Sequence, residues 1–553
     1  MLPCLTKNMR RLIPALITLC TAFLAACQQI DDEMYTVYDV YYETAFITDS
    51  TNAVLSCAAK PDTPEKIWDV WIKVKGGFEY ESSDIQEYGH CWIKGKGTPG
   101  SKGSETHYVP NGGYRDDEGN FYSDISGLEC ETEYTVCSYV KTKDGRIGYN
   151  PNLLYVTTDH PHDKWFESQG FLNHSIIAGR SDCVNIMTVI DGDTLTFFGM
   201  GRAGDRPYND MWCYSSKKKT YEQIAPVKSR TGEIMALWGA VGFVINYVEN
   251  DIAHHLLYIG CGCSKPSGDI KMTDYNKKFF VYDIDTRQWE EVTYLGDNHD
   301  ILLKEPFPGE VRTGGIGFAI REWGFIGLGE FQNGSTTHYH KDIYLFMMAK
   351  DENKQYSPTS GYFNQMTADF GFGKRSGASV VVVEDNAYII GGVGSVSKEN
   401  GPEEKVYYDD FIPCHFTMPI NSRPDSYTFS WPHPDKIRHF NDNFLDENGE
   451  GYNFKSRAYA SVFSVDGSVY YGMGEGVDEN GKKEYYSDMI KYDLKVNYIP
   501  KLCTPYTNAD SRESRVSRAT VINGGDRVFV VGGETADEGN DAQYSSSEWV
   551  YRP

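Results

Sequence analysis

A short apolar strand that ends in two closely spaced glycines recurs six times in this chain, and this repeat limits the possible folds more than any other feature. The copies are Thr194–Gly201, Leu256–Gly262, Trp323–Gly329, Ala387–Gly392, Val469–Gly474 and Val528–Gly533. Their last glycines follow one another at intervals of 61, 67, 63, 82 and 59 residues. Regular self-similarity of this kind indicates a repeat architecture, in which each unit covers the open faces of its neighbours. The second part of the chain is therefore predicted to be an all-β array.

Each copy lies within a longer pattern of four strands. An apolar run such as Gly314–Ile320 precedes it, a strand such as Lys341–Phe346 follows it, and a fourth segment such as Gln288–Val292 often begins next to an aromatic residue. The glycines suit a sharp turn in a crowded place, because they carry no Cβ. The pattern resembles the kelch repeat, and the resemblance covers residues 159–553. It implies a β-propeller with one repeat per blade.

The two ends of this region predict how the ring closes. The last repeat ends at Pro553, shortly after its third strand at Ser547–Arg552, whereas Lys164–Glu167 stands alone before the first repeat. We predict that residues 164–168 supply the fourth strand of the last blade. This pairing removes exposed sheet edges and gives six blades.

Residues 35–158 predict a smaller β domain. Short apolar strands alternate with turn-rich stretches, as in a β-sandwich. The segment Ile125–Val136, in which Leu128 and Tyr134 bracket a turn, resembles the immunoglobulin/fibronectin type III pattern. Tyr88–Trp92 is similar to the versions of that domain found in bacterial surface lipoproteins. The resemblance implies a spacer in front of the repeat array.

The first residues predict export and lipidation. Residues 1–26 combine three basic residues with a short apolar run and small residues, which is typical of a secretory signal. The sequence Leu24-Ala25-Ala26-Cys27 resembles the bacterial lipobox, which implies a lipid on Cys27. The acidic linker 27–34 resembles the surface-export signal of Bacteroidetes lipoproteins. We expect an outer-membrane lipoprotein on the cell surface; the alternatives are the periplasmic side, and a plain signal peptide with a chance cysteine.

Composition excludes some partners. A net charge of −25 repels nucleic acid and anionic membrane surfaces, so we expect no nucleic-acid partner and membrane contact only through the lipid anchor. The 40 tyrosines favour strands and also offer rings that stack on sugars. The sequence contains no paired CxxC motifs and no HExxH motif, and we assign no metal site and no cofactor.

Two recurring positions give candidate rim residues. Arginines head the first strand of most repeats, whereas Leu237 stands near this place in the second repeat, and polar residues follow several glycine pairs. The resemblance to kelch proteins implies that both positions border the mouth of the central channel. The candidates are Arg180, Arg202, Arg312, Arg375, Arg457, Arg518, Glu330, Glu475 and Glu534.

Two interpretations of these arginines compete. The guanidinium groups could form a ring that binds a carboxylate, an acidic peptide or an acidic sugar. Alternatively, each arginine pairs with Glu330, Glu475 or Glu534 and with loop carbonyls. Repetition in nearly every blade favours the structural interpretation, because a ligand site needs only a few contacts.

Two further candidates lie in loops. His338 follows a glycine pair and could reach the channel mouth. Trp431 belongs to the longest insertion, between Gly392 and Gly474, and could stack on a sugar or pack on its own blade.

The sequence predicts a non-catalytic binding module for a glycan or for a protein partner of a glycan-uptake system. The repeats are similar to those of galactose oxidase, but that family has seven blades and a further copper-ligating domain, so we exclude its activity. The secreted N-acetylneuraminate epimerases resemble the chain more closely and make sugar mutarotation or epimerisation the alternative. Such an enzyme would use residues like Glu330, Glu475 and Arg312, and it predicts a buried carboxylate of raised pKa beside an arginine.

Overall fold

The computed structural model describes residues 45–49, 70–80, 84–111, 120–129, 132–158, 163–167, 179–294, 307–366, 371–398, 401–417, 428–430, 437–442, 444, 451–495, 500–506, 515–525, 527–536, 542–545 and 547–553. The predicted signal, Cys27, the linker 27–34 and Trp431 lie outside these residues. The chain divides into two compact units, Met1–Pro161 and His162–Pro553. Within the described ranges the only helical element is a 3-10 turn at Met272–Asp274, so the structure is all-β, as predicted. No helix in this part of the chain is long and apolar enough to cross a membrane.

The described residues of the first unit form two antiparallel sheets. Their orders are β1-β2-β5 and β4-β3-β6-β7, with β8 also paired to β6. The strands are β1 (Ala45–Asp49), β2 (Val70–Tyr80), β3 (Ile85–Lys94), β4 (His107–Pro110), β5 (Asn120–Leu128), β6 (Glu133–Thr142), β7 (Ile147–Tyr149) and β8 (Leu154–Thr157).

One apolar cluster joins these two sheets. Val74 of β2 and Ile125 of β5 pack against Val136 of β6. Leu128 and Tyr134, which bracket the predicted turn, belong to the same buried cluster. The two sheets therefore share a core, as the alternation of short strands and turns predicts.

The described residues of the second unit form six sheets of at least four strands, in which every strand pair but one is antiparallel. The first two are β10-β11-β14-β15 and β16-β17-β18-β19. Their strands, with β9 and the hairpin β12-β13, are β9 (Lys164–Glu167), β10 (Val184–Ile190), β11 (Asp193–Gly199), β12 (Arg202–Ala203), β13 (Arg206–Pro207), β14 (Met211–Ser215), β15 (Thr220–Ile224), β16 (Val241–Glu249), β17 (Ile252–Gly260), β18 (Phe279–Asp283) and β19 (Gln288–Glu291).

The third and fourth sheets have the orders β20-β26-β25-β22-β21 and β28-β29-β32-β33, in which only β20 pairs in parallel and β34 joins β32. Small sheets β23-β24 and β27-β30-β31 accompany them. The strands are β20 (Thr293–Tyr294), β21 (Ile316–Ile320), β22 (Trp323–Gly327), β23 (Glu330–Asn333), β24 (Thr336–Tyr339), β25 (Ile343–Lys350), β26 (Tyr356–Gln365), β27 (Arg375–Ser376), β28 (Ser379–Val383), β29 (Asn386–Ile390), β30 (Val393–Val396), β31 (Glu404–Tyr407), β32 (Asp410–Thr417), β33 (Thr428–Ser430) and β34 (Arg438–His439).

The fifth and sixth sheets have the orders β35-β36-β39-β40 and β41-β42-β45-β9, with hairpins β37-β38 and β43-β44. The strands are β35 (Ser461–Val465), β36 (Ser468–Gly472), β37 (Glu475–Val477), β38 (Lys483–Tyr485), β39 (Met489–Asp493), β40 (Pro500–Cys503), β41 (Thr520–Asn523), β42 (Val528–Val531), β43 (Glu534–Ala536), β44 (Ala542–Tyr544) and β45 (Glu548–Arg552).

The two ends of the second unit meet in the sixth sheet. Strand β9 pairs antiparallel with β45, so that Trp165 lies opposite Tyr551 and Phe166 opposite Val550. The indole of Trp165 also packs edge-on against the ring of Tyr506, with centroids 4.8 Å apart. This is the pairing that the isolated position of residues 164–167 predicts.

Backbone hydrogen bonds connect the six sheets in a cycle. The last glycine of each repeat donates its N–H to the carbonyl of the residue that heads the next sheet, at 2.7–2.9 Å. These pairs are Gly201–Leu237, Gly262–Arg312, Gly329–Arg375, Gly392–Arg457, Gly474–Val516 and Gly533–Arg180. At Gly533 the φ angle is +91°, and a Cβ would lie 2.6 Å from the carbonyl oxygen of Ser517. The turn therefore requires glycine for both conformation and space.

The apolar core lies between successive sheets. Phe243 of the second sheet packs on Phe346 of the third, with ring centroids 5.8 Å apart. Tyr214 of the first sheet packs on Phe529 of the sixth at 5.7 Å. The innermost strands, β10, β16, β21, β28, β35 and β41, surround a cavity of about 610 Å³. The packing therefore leaves an open space at the centre of the cycle.

Candidate functional site

Four of the predicted rim arginines are bound within their own sheets. Each donates both terminal nitrogens to an aspartate at the start of the third strand and one of them to a carbonyl that follows the second strand. In the third sheet Arg312 contacts the two carboxylate oxygens of Asp342 at 2.7 and 2.9 Å, and its side chain is 0% exposed. The pairs are Arg180–Asp210, Arg312–Asp342, Arg375–Asp410 and Arg457–Asp488. Their charge-assisted bonds match the structural interpretation.

Two details of that interpretation are wrong. The partners of these four arginines are aspartates, not Glu330, Glu475 or Glu534. Arg518 is not their equivalent in the sixth sheet either, because Val516 occupies that place: its carbonyl accepts the N–H of Gly474, as the carbonyl of Arg457 accepts that of Gly392. Arg518 stands two residues later, where the chain turns towards the centre of the cycle.

Six residues form the centre of one end of the cavity, and we call them the hub. Each stands two positions after the residue that heads its sheet, and successive members are joined by N–H to carbonyl hydrogen bonds of 2.7–3.3 Å. The hub residues are Asp182, Gly239, Gly314, Gly377, Tyr459 and Arg518. The three glycines are neighbours, so the opposite side of the hub carries its three large side chains.

The side chain of Tyr459 fills the space over the glycines. A Cβ at Gly377 would lie 2.7 Å from three ring carbons of Tyr459, and one at Gly314 would lie 3.2 Å from the same ring. The guanidinium carbon of Arg518 lies 3.3 Å from the centroid of the Tyr459 ring. The two side chains therefore lie across this end of the cavity as a stacked pair, which a cation–π interaction stabilises.

Three carboxylates surround Arg518. Its Nη1 donates to Asp182 at 2.7 Å, its Nη2 to Glu475 at 3.4 Å, and its Nε lies 3.6 Å from Glu534. Burial opposes ionisation of Asp182, but the charges of Arg518 and Arg202 outweigh it and lower the pKa of Asp182 to about 2. Burial also opposes ionisation of Glu475, yet the positive charges of Arg518 and Lys483 lower its pKa.

Two more cations complete the charge balance. Arg202 donates to Asp182 at 2.8 Å and to the carbonyl of Pro266 at 2.9 Å, and its guanidinium lies 3.8 Å from the ring of Trp238. Lys483 lies 3.0 Å from Glu475. Every guanidinium of this site is therefore engaged by carboxylates, carbonyls or rings.

Glu330 differs from the other three carboxylates. It accepts a hydrogen bond of 3.2 Å from the Tyr459 hydroxyl, and that hydroxyl also shares a hydrogen bond of 2.9 Å with the hydroxyl of Ser376. Burial raises the pKa of Glu330, and the charge of Arg518 and the bond from Tyr459 counteract this only in part. Burial also raises the pKa of the nearby Tyr339 and Tyr407. Glu330 therefore holds a proton more readily than Asp182 or Glu475.

We call this group of side chains the hub-face cluster: Asp182, Arg202, Glu330, Tyr459, Glu475, Lys483, Arg518 and Glu534. Its four carboxylates face three cations; the carboxylate oxygens can accept hydrogen bonds, and the Tyr459 hydroxyl can accept or donate them. Such groups suit a ligand with many hydroxyls better than an anion, because the guanidinium groups already hold carboxylates. Among the described residues no group of three or more His, Cys, Asp and Glu is arranged to hold a metal ion.

The cluster contains three residues that the sequence did not single out, and it lacks five described residues that the sequence did: Arg180, Arg312, Arg375, Arg457 and His338. Asp182, Tyr459 and Lys483 were missed, because hydrogen bonds between sheets define the hub positions of Asp182 and Tyr459, and contact with Glu475 defines the place of Lys483. His338 lies in β24 with an exposed side chain, stacked on Phe331 at 4.8 Å, and not in the cluster. Trp431 lies outside the described residues.

Comparisons with known proteins identify no close relative. No family model matches the chain, and no curated protein matches it. Among solved structures, one titled "Structure of YjhT" aligns with a TM-score of 0.41 and 13% identity, over 68% of this chain and 96% of that one. The function must therefore be argued from the chain's own residues.

Proposed function

We propose that residues 159–553 form a six-bladed β-propeller of the kelch type and that residues 35–158 form an immunoglobulin/fibronectin III-like sandwich. The six sheets, their cyclic hydrogen bonds and the pairing of β9 with β45 support the propeller. The shared core around Tyr134 supports the sandwich. Leu24–Cys27 and the acidic linker support a lipoprotein anchored through Cys27 to the outer membrane and exposed on the cell surface, with the periplasmic side as the alternative.

For the function, we propose that the hub face binds a neutral, hydroxyl-rich glycan without chemical change. The observation that carries this proposal is the engagement of Arg202 and Arg518 by Asp182, Glu475 and Glu534. A ring of unpaired guanidinium groups would favour an acidic ligand. Paired guanidinium groups beside carboxylate and phenol oxygens favour sugar hydroxyls.

The second candidate function is sugar mutarotation or epimerisation. The specific observation in its favour is Glu330, a partly buried carboxylate of raised pKa that accepts a hydrogen bond from Tyr459. A protonated carboxyl can donate a proton to a ring oxygen, and a neighbouring carboxylate such as Glu475 can accept one. Arg312, which the sequence offered as a substrate anchor, is buried against Asp342, so this candidate also favours a neutral sugar.

The experiment is a glycan array with the purified chain after residue 27, followed by calorimetry and by anomer-exchange NMR on each sugar that binds. Glu330→Gln and Tyr459→Phe remove the two groups that share a hydrogen bond, and Glu352→Gln is the control because Glu352 is exposed on a distant turn. We expect a loss of affinity of about tenfold or more in the first two variants, since Glu330→Gln replaces an acceptor oxygen with a donor and Tyr459→Phe removes the hydroxyl.

Each outcome separates the candidates. Binding without faster anomer exchange supports the binding module. Faster exchange that Glu330→Gln abolishes supports the enzyme. Absence of binding to every glycan contradicts both and leaves a protein partner as the remaining hypothesis. Equal losses in Glu330→Gln and Glu352→Gln would show that binding occurs elsewhere.

A further inference from the structure

Two buried thiols face each other in the first unit. Cys91 of β3 and Cys137 of β6 are directly opposite in the antiparallel register. Both residues are 0% exposed, and their sulfur atoms are 3.4 Å apart. The two sulfurs are thus in contact, in a cluster that also includes Tyr139.

The backbone geometry suits a covalent bond between them. Directly opposite residues of antiparallel strands have Cα atoms about 4.5–5.5 Å apart. A disulfide accepts Cα distances of about 4.4–6.8 Å and needs sulfurs about 2.05 Å apart. Rotation about the two Cα–Cβ bonds therefore suffices to close the remaining gap, and the strands need not separate.

We infer that Cys91 and Cys137 form a structural disulfide when the chain folds in the presence of a disulfide oxidant. The sequence could not assign this pair, because Cys57, Cys91, Cys130 and Cys137 of the first domain allow three pairings. The strand register selects one of them. The inference rests on the first unit alone and is independent of the function proposed for the hub face.

The chemistry is thiol–disulfide exchange with an external disulfide such as oxidised glutathione. The thiolate of one cysteine attacks the oxidant, forms a mixed disulfide and releases one glutathione thiolate. The thiolate of the second cysteine then attacks the mixed disulfide and releases the other. The protein loses two protons and two electrons, and the oxidant takes up both electrons to become two thiols.

Burial decides when this exchange occurs. In the folded unit the pair is closed to solvent, and burial raises the pKa of the Cys91 thiol, so the reactive thiolate is scarce. Exchange is therefore expected while β3 and β6 are pairing and before the core closes. The same burial then protects the disulfide from reductants, which makes it a fixed link and not a switch.

The test is to refold the complete chain after residue 27 from denaturant in a glutathione redox buffer. The sample is quenched in acid, alkylated under denaturing conditions and mapped by mass spectrometry without reduction. We expect one cross-linked peptide that joins Cys91 to Cys137, and alkylated thiols at the buried Cys414 of the second unit as an internal control.

A second measurement keeps the inference testable if a variant folds poorly. Mild reductant added to the native oxidised protein should leave the cross-link intact, whereas reductant with denaturant should remove it. The midpoint of thermal unfolding of the first unit should be about 10 °C lower without the cross-link than with it. Cys414→Ala should keep the cross-link. Alkylated thiols at both Cys91 and Cys137, or cross-links from either one to Cys57 or Cys130, would overturn the inference.

Discussion

Arg312 and Arg518 both lie in the second unit and both bind carboxylates, but they do so in opposite ways. Arg312 holds Asp342 of its own sheet, and three other sheets repeat this arrangement. Arg518 holds Asp182, which lies just before the first sheet, and Glu475, which begins the hairpin β37-β38. No other hub position described in the structure carries an arginine. A contact that recurs in sheet after sheet stabilises the repeat, whereas a contact that breaks the pattern marks a place where the chain differs from a plain repeat.

The largest expected effect on stability comes from breaking the arginine–aspartate pair that recurs in four sheets. Arg312→Ala leaves Asp342 without its buried partner and should lower the free energy of unfolding by about 3–5 kcal/mol. Arg321→Ala is the control, because its pair with Asp385 is exposed and should contribute less than about 1 kcal/mol. Urea unfolding measures both. Similar losses in the two variants would contradict the role given to burial.

The glycines under Tyr459 should give the next largest effect. Gly377→Ala places a Cβ 2.7 Å from the Tyr459 ring at a φ of +62°, and should cost about 2–3 kcal/mol of unfolding free energy. Gly268→Ala has a φ of +80° but no atom within 4 Å, and should cost about 1 kcal/mol. The difference between the thermal midpoints of the two variants measures the effect of the contact with the Tyr459 ring alone. If the two variants are equal, Tyr459 does not pack over the hub.

A pH titration should sharpen the comparison at Asp182. Its pKa is about 2 in the folded chain and about 3.9 in the unfolded chain, so its contribution of about 2 kcal/mol is present above pH ~4 and is lost as the pH falls towards 2. Asp182→Asn should therefore lower the free energy of unfolding at pH 6 and weaken its decrease between pH 4 and pH 2. Denaturant unfolding at several pH values measures it, with Asp385→Asn as the exposed control. If Asp182→Asn leaves the pH dependence of unfolding below pH 4 unchanged, the charge pairing of Asp182 with Arg518 and Arg202 is contradicted.

The smallest effect on stability is expected at Glu330. Burial raises its pKa above the unfolded value, so its ionisation destabilises the folded chain once the pH exceeds the unfolded pKa of about 4.3. Glu330→Gln removes this penalty and should be slightly more stable than the wild type at pH 7, by less than about 1 kcal/mol. Thermal unfolding at pH 4 and pH 7 measures the change. A clear loss of stability at pH 7 would show that Glu330 supports the fold.

Much of the fold could be predicted because its signals are local. Each glycine-terminated strand is a segment of a few residues whose turn needs a backbone without Cβ, and Gly533 meets that requirement in the structure. The pairing of Trp165 with Tyr551 could also be predicted, since a repeat array with one missing strand and one spare strand has a single way to complete its sheets.

The candidate site could be predicted only in part. Glu330, Glu475 and Glu534 were selected because they follow glycine pairs, and they do lie in the hub-face cluster. The place of Arg518 was wrong, since an arginine within two residues of the expected position looks equivalent in a sequence. Tyr459 was missed because nothing near it in the chain shows that the glycines that leave it room belong to other sheets.

By itself, then, the sequence determined the number of repeats, the strands within each one and the order in which they follow. These depend on residues close together in the chain, whose backbone preferences act at short range. Only the tertiary structure decided which side chains meet: Arg518 reaches Asp182 across 336 residues, and Cys91 meets Cys137 across 46. Contacts of that kind depend on how sheets and strands pack together, and no local pattern encodes which partner will lie within bonding distance.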